Sequence, residues 1–67
     1  MENYRLIIRK KRKQLGLSQN QLARAVGISQ PFMNEIELGK KNPSVEVLIK
    51  ICEALDIPFL GQEKEEL

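Results

Sequence analysis

QNQLARAVGISQPFMNEI, residues 19 to 36, carries the pattern that decides the fold. Leu22, Ala23 and Val26 recur at helical spacing, Gly27 interrupts them, Ile28 is apolar, and Met33 and Ile36 resume the period. Gly27 can take a left-handed backbone conformation that costs most other residues about 1 kcal/mol or more. Ala23 is small where a second helix has to cross the first closely. Leu22, Val26, Ile28, Met33 and Ile36 are assigned to one core. Ser18 and Ser29 stand just before the two helices, where a hydroxyl caps free backbone N–H groups. An apolar pattern alone is weak evidence. Apolar, small, glycine and cap residues in register over one span specify two short helices clamped around a tight turn.

Helices joined in this way form a helix-turn-helix, whose second helix enters the major groove of DNA. LSQNQLARAVGISQ, then IELGKKNPS, then LIKICEALDIP, resembles the phage-repressor type of this motif, the Cro/cI or xenobiotic-response-element (XRE) family. The resemblance covers about residues 6–60. It implies an all-α, compact five-helix domain like that of lambda repressor, with the helix-turn-helix at helices 2 and 3. The domain is expected over residues 1–61, with 62–67 a charged tail.

Length and composition set the bounds. Sixty-seven residues allow one domain, near the small end of what folds without staples. A single cysteine allows no internal disulfide, and there is no histidine to join it on zinc. No cofactor or metal is expected. A hydrophobic fraction of 42% with few aromatics suits a helical core of Leu, Ile and Val. No apolar run approaches the ~20 residues of a membrane span, and none resembles a signal peptide. A soluble cytoplasmic protein without a membrane partner is the resulting expectation.

The net charge of +2 is unremarked by itself, but its distribution is uneven. Residues 1–43 hold nine Lys/Arg against three Glu, a surplus of six positive charges. Residues 44–67 hold two Lys against six Asp/Glu, a surplus of four negative charges. A basic front and an acidic back suit a protein that turns one face to a polyanion, although an ordinary solvated surface would also account for them.

Helix 1 is expected from Tyr4 to Leu15, with Leu6, Ile7 and Ile8 partly buried and Gly16 ending it. RKKRK, residues 9 to 13, resembles a nucleic-acid tract, but consecutive helical residues point in nearly all directions and cannot form one patch. Arg9, Lys10, Lys11 and Lys13 read as solvated cations, with distant attraction to phosphates as the alternative. Arg12 is different. The resemblance implies that it pairs with Glu37, tying helix 1 to the end of helix 3 through a partly buried ion pair.

Helix 2 runs from about Gln19 to Val26, and helix 3 from about Gln30 to Leu38. Gln19 sits at a helix N-terminus that favours an anion, and the resemblance implies a DNA phosphate there. Ser29, the cap of helix 3, is placed with the phosphate contacts too. Met33 and Ile36 face the core, so Gln30, Pro31, Asn34 and Glu35 lie on the other side as candidate base contacts. Gln and Asn can bond adenine through two groups at once, and Glu can accept from the cytosine amino group. Pro31 offers only apolar contact and disfavours a helical Gln30, which leaves the helix start open to a shift by one residue. Phe32 reads as packing at the helix edge. Gly39 closes helix 3, and the resemblance places the loop of Lys40, Lys41 and Asn42 beside the DNA backbone as phosphate contacts.

Ser44 caps helix 4, about Val45 to Leu55, whose apolar stripe is read as Val45, Leu48, Ile51, Cys52 and Leu55. Cys52 on that stripe reads as a buried apolar thiol rather than a redox sensor. Asp56, Ile57 and Pro58 lead into a short fifth helix or turn carrying Phe59 and Leu60. Ile57, Phe59 and Leu60 follow helix 4 where relatives of this type carry their dimer contact, although some of them have to finish the core.

The leading expectation is a transcriptional regulator, a repressor by type, that binds double-stranded DNA as a weak homodimer on a near-palindromic operator. The alternative is a protein-interaction module, such as an antitoxin that binds a toxin or a co-regulator and also its own operator. An enzyme has little support: there is no histidine, no phosphate loop and no paired carboxylates in a plausible cleft.

Overall fold

The computed structural model describes residues 3–58, and four α-helices account for most of them. They are α1 (Tyr4–Gln14), α2 (Gln19–Val26), α3 (Gln30–Leu38) and α4 (Val45–Leu55). No strand occurs among the described residues.

Local chemistry sets each boundary. Ser18, Ser29 and Ser44 stand in extended backbone at the three later starts, and their hydroxyls accept from the N–H groups of Gln21, Phe32 and Val47. Such a cap contributes about 1 kcal/mol. Gln21 returns the bond, its side-chain oxygen accepting from the Ser18 N–H at 2.8 Å. Asn3 caps α1 in the same way. The turn inside the quoted stretch is made by Gly27 at φ 88°, which lets both its own N–H and that of Ile28 reach the Ala23 carbonyl. α3 begins at Gln30 without a shift, with Pro31 in the first turn, where a missing N–H breaks no intrahelical bond.

The helices pack in a closed cycle, α1 on α3, α3 on α2, α2 on α4 and α4 on α1. Ile8, Leu22, Ala23, Val26, Met33, Ile36, Ile51 and Leu55 form the shared core. Tyr4, Leu17, Ile28, Phe32, Val47, Leu48 and Ile57 close its edges. The helix-turn-helix pair is therefore held on one side by α1 and on the other by α4.

Two core assignments need correction. Leu6 is 52% exposed: Tyr4, Ile8 and Arg12 set the inward face of α1 at four-residue spacing, and Leu6 lies two residues off it. Val45 is 68% exposed although it falls on the stripe of α4. It is the first helical residue, and a side chain there leans towards the N-terminus and off the end of the helix. Val47 packs in its place, four residues before Ile51. The described residues hold four helices, and the short fifth helix or turn expected to carry Phe59 and Leu60 falls outside them. Asp56 ends α4 in the left-handed conformation, and Ile57 and Pro58 follow without helical structure.

Cys52 is buried on α4, and burial raises its thiol pKa. Folding therefore holds the proton on sulfur, and the unfolded chain releases it first as pH rises, so stability falls above the ordinary thiol range. Ellman's reagent at pH 8 should react with Cys52 much more slowly in the native chain than in urea. Equal rates would place the thiol at the surface.

Candidate nucleic-acid interface

The outer side of α3 is a small polar surface built on a buried ion pair. Met33 and Ile36 are fully buried, which turns Gln30, Pro31, Asn34 and Glu35 outward; Gln30 and Pro31 are exposed, Asn34 and Glu35 half-buried. Beneath them Arg12 meets Glu37 face to face. Its Nε donates to Oε2 at 2.8 Å and its Nη2 to Oε1 at 3.0 Å. Its Nη1 donates to the Leu17 carbonyl at 2.9 Å, so one guanidinium joins α1, the turn before α2 and the end of α3. The Glu37 side chain is only 2% exposed.

Gln19 extends this pair to the surface. Its Nε2 donates to Glu37 Oε1 and to Asn34 Oδ1, both at 3.1 Å, and its Oε1 accepts from Gln30 Nε2 at 2.7 Å. Gln19, Gln30 and Asn34, assigned separately from the sequence, thus form one hydrogen-bonded cluster across the helix-turn-helix. Both N–H bonds of the Gln19 side chain are engaged inside it. An anion at the start of α2 is left with the backbone N–H groups of the first turn, of which Ser18 takes that of Gln21.

The other candidates flank the cluster. Ser29 uses its oxygen as the α3 cap, and its O–H remains a donor. Lys40 is exposed. The Lys41 ammonium lies 3.8 Å from Glu35 Oε1, so the acidic residue on this face has a cation beside it. Between groups so exposed the attraction contributes little to stability. Asn42 is held from below, its Oδ1 accepting from Arg5 Nη2. Of the residues expected in a dimer contact, Ile57 is half-buried against the core, and Phe59 and Leu60 fall outside the described residues.

Arg5 escaped the sequence reading. Its Nε donates to the Ile36 carbonyl at 3.0 Å, a second donor beside the Gly39 N–H, while Nη2 holds the loop at Asn42. Its guanidinium lies 4.6 Å from the centre of the Tyr4 ring. A signal was present: Arg5 and Arg12 are seven residues apart on one helix, which places both on the same face. Of the five-residue basic tract, only Arg12 is buried, and Arg9, Lys10 and Lys13 are exposed.

Among the described residues no His, Cys, Asp or Glu are grouped as a metal site, and no helix is long and apolar enough to cross a membrane. Residues 8–61 match the helix-turn-helix family. The chain belongs to that family, and to its XRE type. The helix-turn-helix chain is 46% identical over 44 residues to an uncharacterized HTH-type transcriptional regulator of Haemophilus influenzae, a match covering 66% of this chain and 45% of that protein. It is 40% identical over 48 residues to the HTH-type transcriptional regulator SutR of Escherichia coli, covering 72% and 27%. It is 37% identical over 46 residues to the ImmF control region 10 kDa protein of Bacillus phage phi105, covering 69% and 51%. The matched stretch spans about half of these relatives' length or less.

The Arg12–Glu37 pair makes this helix-turn-helix domain sensitive to the loss of either partner alone. Removing one partner of a buried pair costs about 3–5 kcal/mol, whereas replacing both by apolar groups is often neutral. A chain of this size has a total of about 3–10 kcal/mol. Arg12→Met or Glu37→Met alone should therefore lose about 3–5 kcal/mol, a third or more of that total. The double variant should regain much of the loss in urea titrations followed by circular dichroism. Losses that simply add would show that the pair acts as two independent groups.

Proposed function

We propose that this chain is a sequence-specific, double-stranded-DNA-binding transcriptional regulator that lays α3 in the major groove. The observation that carries the reading is the Gln19–Gln30–Asn34 amide cluster on the outer side of α3, with Lys40 and Lys41 beside it. Amide side chains match the mixed donor and acceptor edges of base pairs, while lysines supply sequence-independent attraction to phosphates. The naming of its relatives as transcriptional regulators supports the same reading. Repression is the mode in this reading, since occupying a site is the most direct way for a bound domain to act.

In this reading Gln30 and Asn34 read bases, and Pro31 gives apolar contact to a thymine methyl. Lys40, Lys41, the Asn42 amide, the Ser29 hydroxyl and the α2 N-terminus at Gln19 hold phosphates. Glu35 lies beside Lys41 and reads no base. One copy covers too few base pairs for specificity, so two copies occupy half-sites about one helical turn (~34 Å) apart. Their mutual contact includes the residues after α4, is weaker than the ~1,200 Å² of a stable interface, and is reinforced by the shared duplex.

Binding-site selection from a random duplex pool should return a near-palindrome. A dimer touching ~8 phosphates should show log K falling with log salt at a slope of about −7. Lys40→Ala with Lys41→Ala should flatten that slope and weaken all sequences alike. Gln30→Ala or Asn34→Ala should instead cost about 1–3 kcal/mol at one base pair per half-site. Affinity independent of salt would overturn the reading. Glu35→Gln should raise affinity on every duplex; a change confined to one base pair would make Glu35 a cytosine reader.

A further inference from the structure

The amides of the α3 surface end on a group that has no choice of polarity. Glu37 is buried against Arg12, and a paired carboxylate only accepts hydrogen bonds. The Gln19 amide beside it must therefore present nitrogen, and that nitrogen's second N–H goes to Asn34. Asn34 must then offer its oxygen inward, which leaves its NH2 facing out. The Gln19 oxygen is free for Gln30, whose nitrogen turns inward to meet it at 2.7 Å. Oxygen and nitrogen of an amide are ordinarily assigned from their hydrogen bonds, and here the whole chain of assignments is anchored by one carboxylate.

We propose that Glu37 is a specificity-determining positioning residue. Through Gln19 it holds the Asn34 NH2 towards the groove, so Asn34 reads an acceptor edge and rejects a donor. This rests on the DNA-binding reading above. In the major groove, guanine offers N7 and O6 and thymine offers O4, all acceptors; cytosine offers only its amino donor, and adenine one of each. The base facing Asn34 is accordingly guanine or thymine, with cytosine the most disfavoured. Glu37 touches no base itself; it acts from beneath, by fixing which atom its neighbours show.

The test is the double variant Arg12→Met with Glu37→Met, which removes the carboxylate without leaving a buried charge. In that variant nothing fixes the polarity of the Gln19 amide, and with it that of Asn34 and Gln30. Asn34 is then free to show its oxygen to the groove and accept from cytosine. Site selection with the wild type should favour guanine or thymine over cytosine at the Asn34 position by about 5- to 150-fold, the span of one good base contact. In the double variant that preference should collapse, together with any at the Gln30 position, while the salt dependence of binding persists. An unchanged preference in a folded variant, by circular dichroism, would overturn the proposal.

If the double variant fails to fold, Gln19→Met keeps the ion pair and cuts the relay. It should weaken binding and relax the discrimination at the Asn34 and Gln30 positions; retained discrimination at the Asn34 position would again overturn the proposal. A measurement without DNA separates this inference from the functional reading. In the free wild-type chain, nitrogen-15 NMR should show the Gln19 side-chain NH2 exchanging with solvent more slowly than that of Asn34. The reverse order would overturn the amide assignment. No binding to any duplex, with the expected exchange order, would overturn the DNA reading and the base preference built on it, and leave the polarity of the cluster standing.

Discussion

A guanidinium buried against a carboxylate is the constraint on which this structure depends. Arg12 and Glu37 lie 25 positions apart, on α1 and α3, and their bonds meet where the turn into α2 also arrives. Neither charge can be left unpaired at such burial without a cost comparable to the stability of the whole domain. Helix packing alone fixes axes within a tolerance of side-chain adjustment. Two parallel hydrogen bonds between planar groups fix position and rotation together. The rotation of α3 about its own axis, which decides the residues facing outward, is set by this pair as much as by Met33 and Ile36.

The core and the surface are in this sense one construction. Leu22, Ala23, Val26, Met33 and Ile36 bring α2 against α3 without preference for the identity of outer residues. The polar layer from Arg12 to Glu37, Gln19 and then Asn34 and Gln30 joins the interior to the exterior with no buried side-chain polar atom unpartnered among the described residues. A half-satisfied network would be worse than an apolar one, since every orphaned group carries its own desolvation cost. A polar layer close to a small core is tolerable here because each member has its partner.

The helical boundaries were legible in the sequence because their causes are local. Serine before each of the three later helices, glycine after two of them, and period-3.6 spacing between are read within a few residues of where they act. Tertiary placement was less legible. Val45 fitted the α4 stripe, but periodicity does not say whether a neighbour extends far enough to cover the first turn. Leu6 was grouped with Ile7 and Ile8 by adjacency, where spacing from Ile8 would have set it apart. Resemblance to a family directed attention to Arg12 and Glu37. The bonds of Gln19 to Asn34 and Glu37 were not legible, because polar residues with several possible partners acquire one only in three dimensions. Arg5 was overlooked for a related reason: its acceptors lie 31 and 37 positions away.

Arg5 has a thermodynamic consequence. By bonding the Ile36 carbonyl and the Asn42 side chain at once, it ties the loop after α3 to a finished helix end. Segments that fold on binding carry the ordering cost into the association step, with the large heat-capacity change of newly buried surface. A loop already anchored carries less of that cost. Under the DNA-binding reading, its lysines meet the duplex as a surface completed during folding of the chain. Complex formation is then docking of a preorganised module, with calorimetry reporting chiefly ions and water released at the interface.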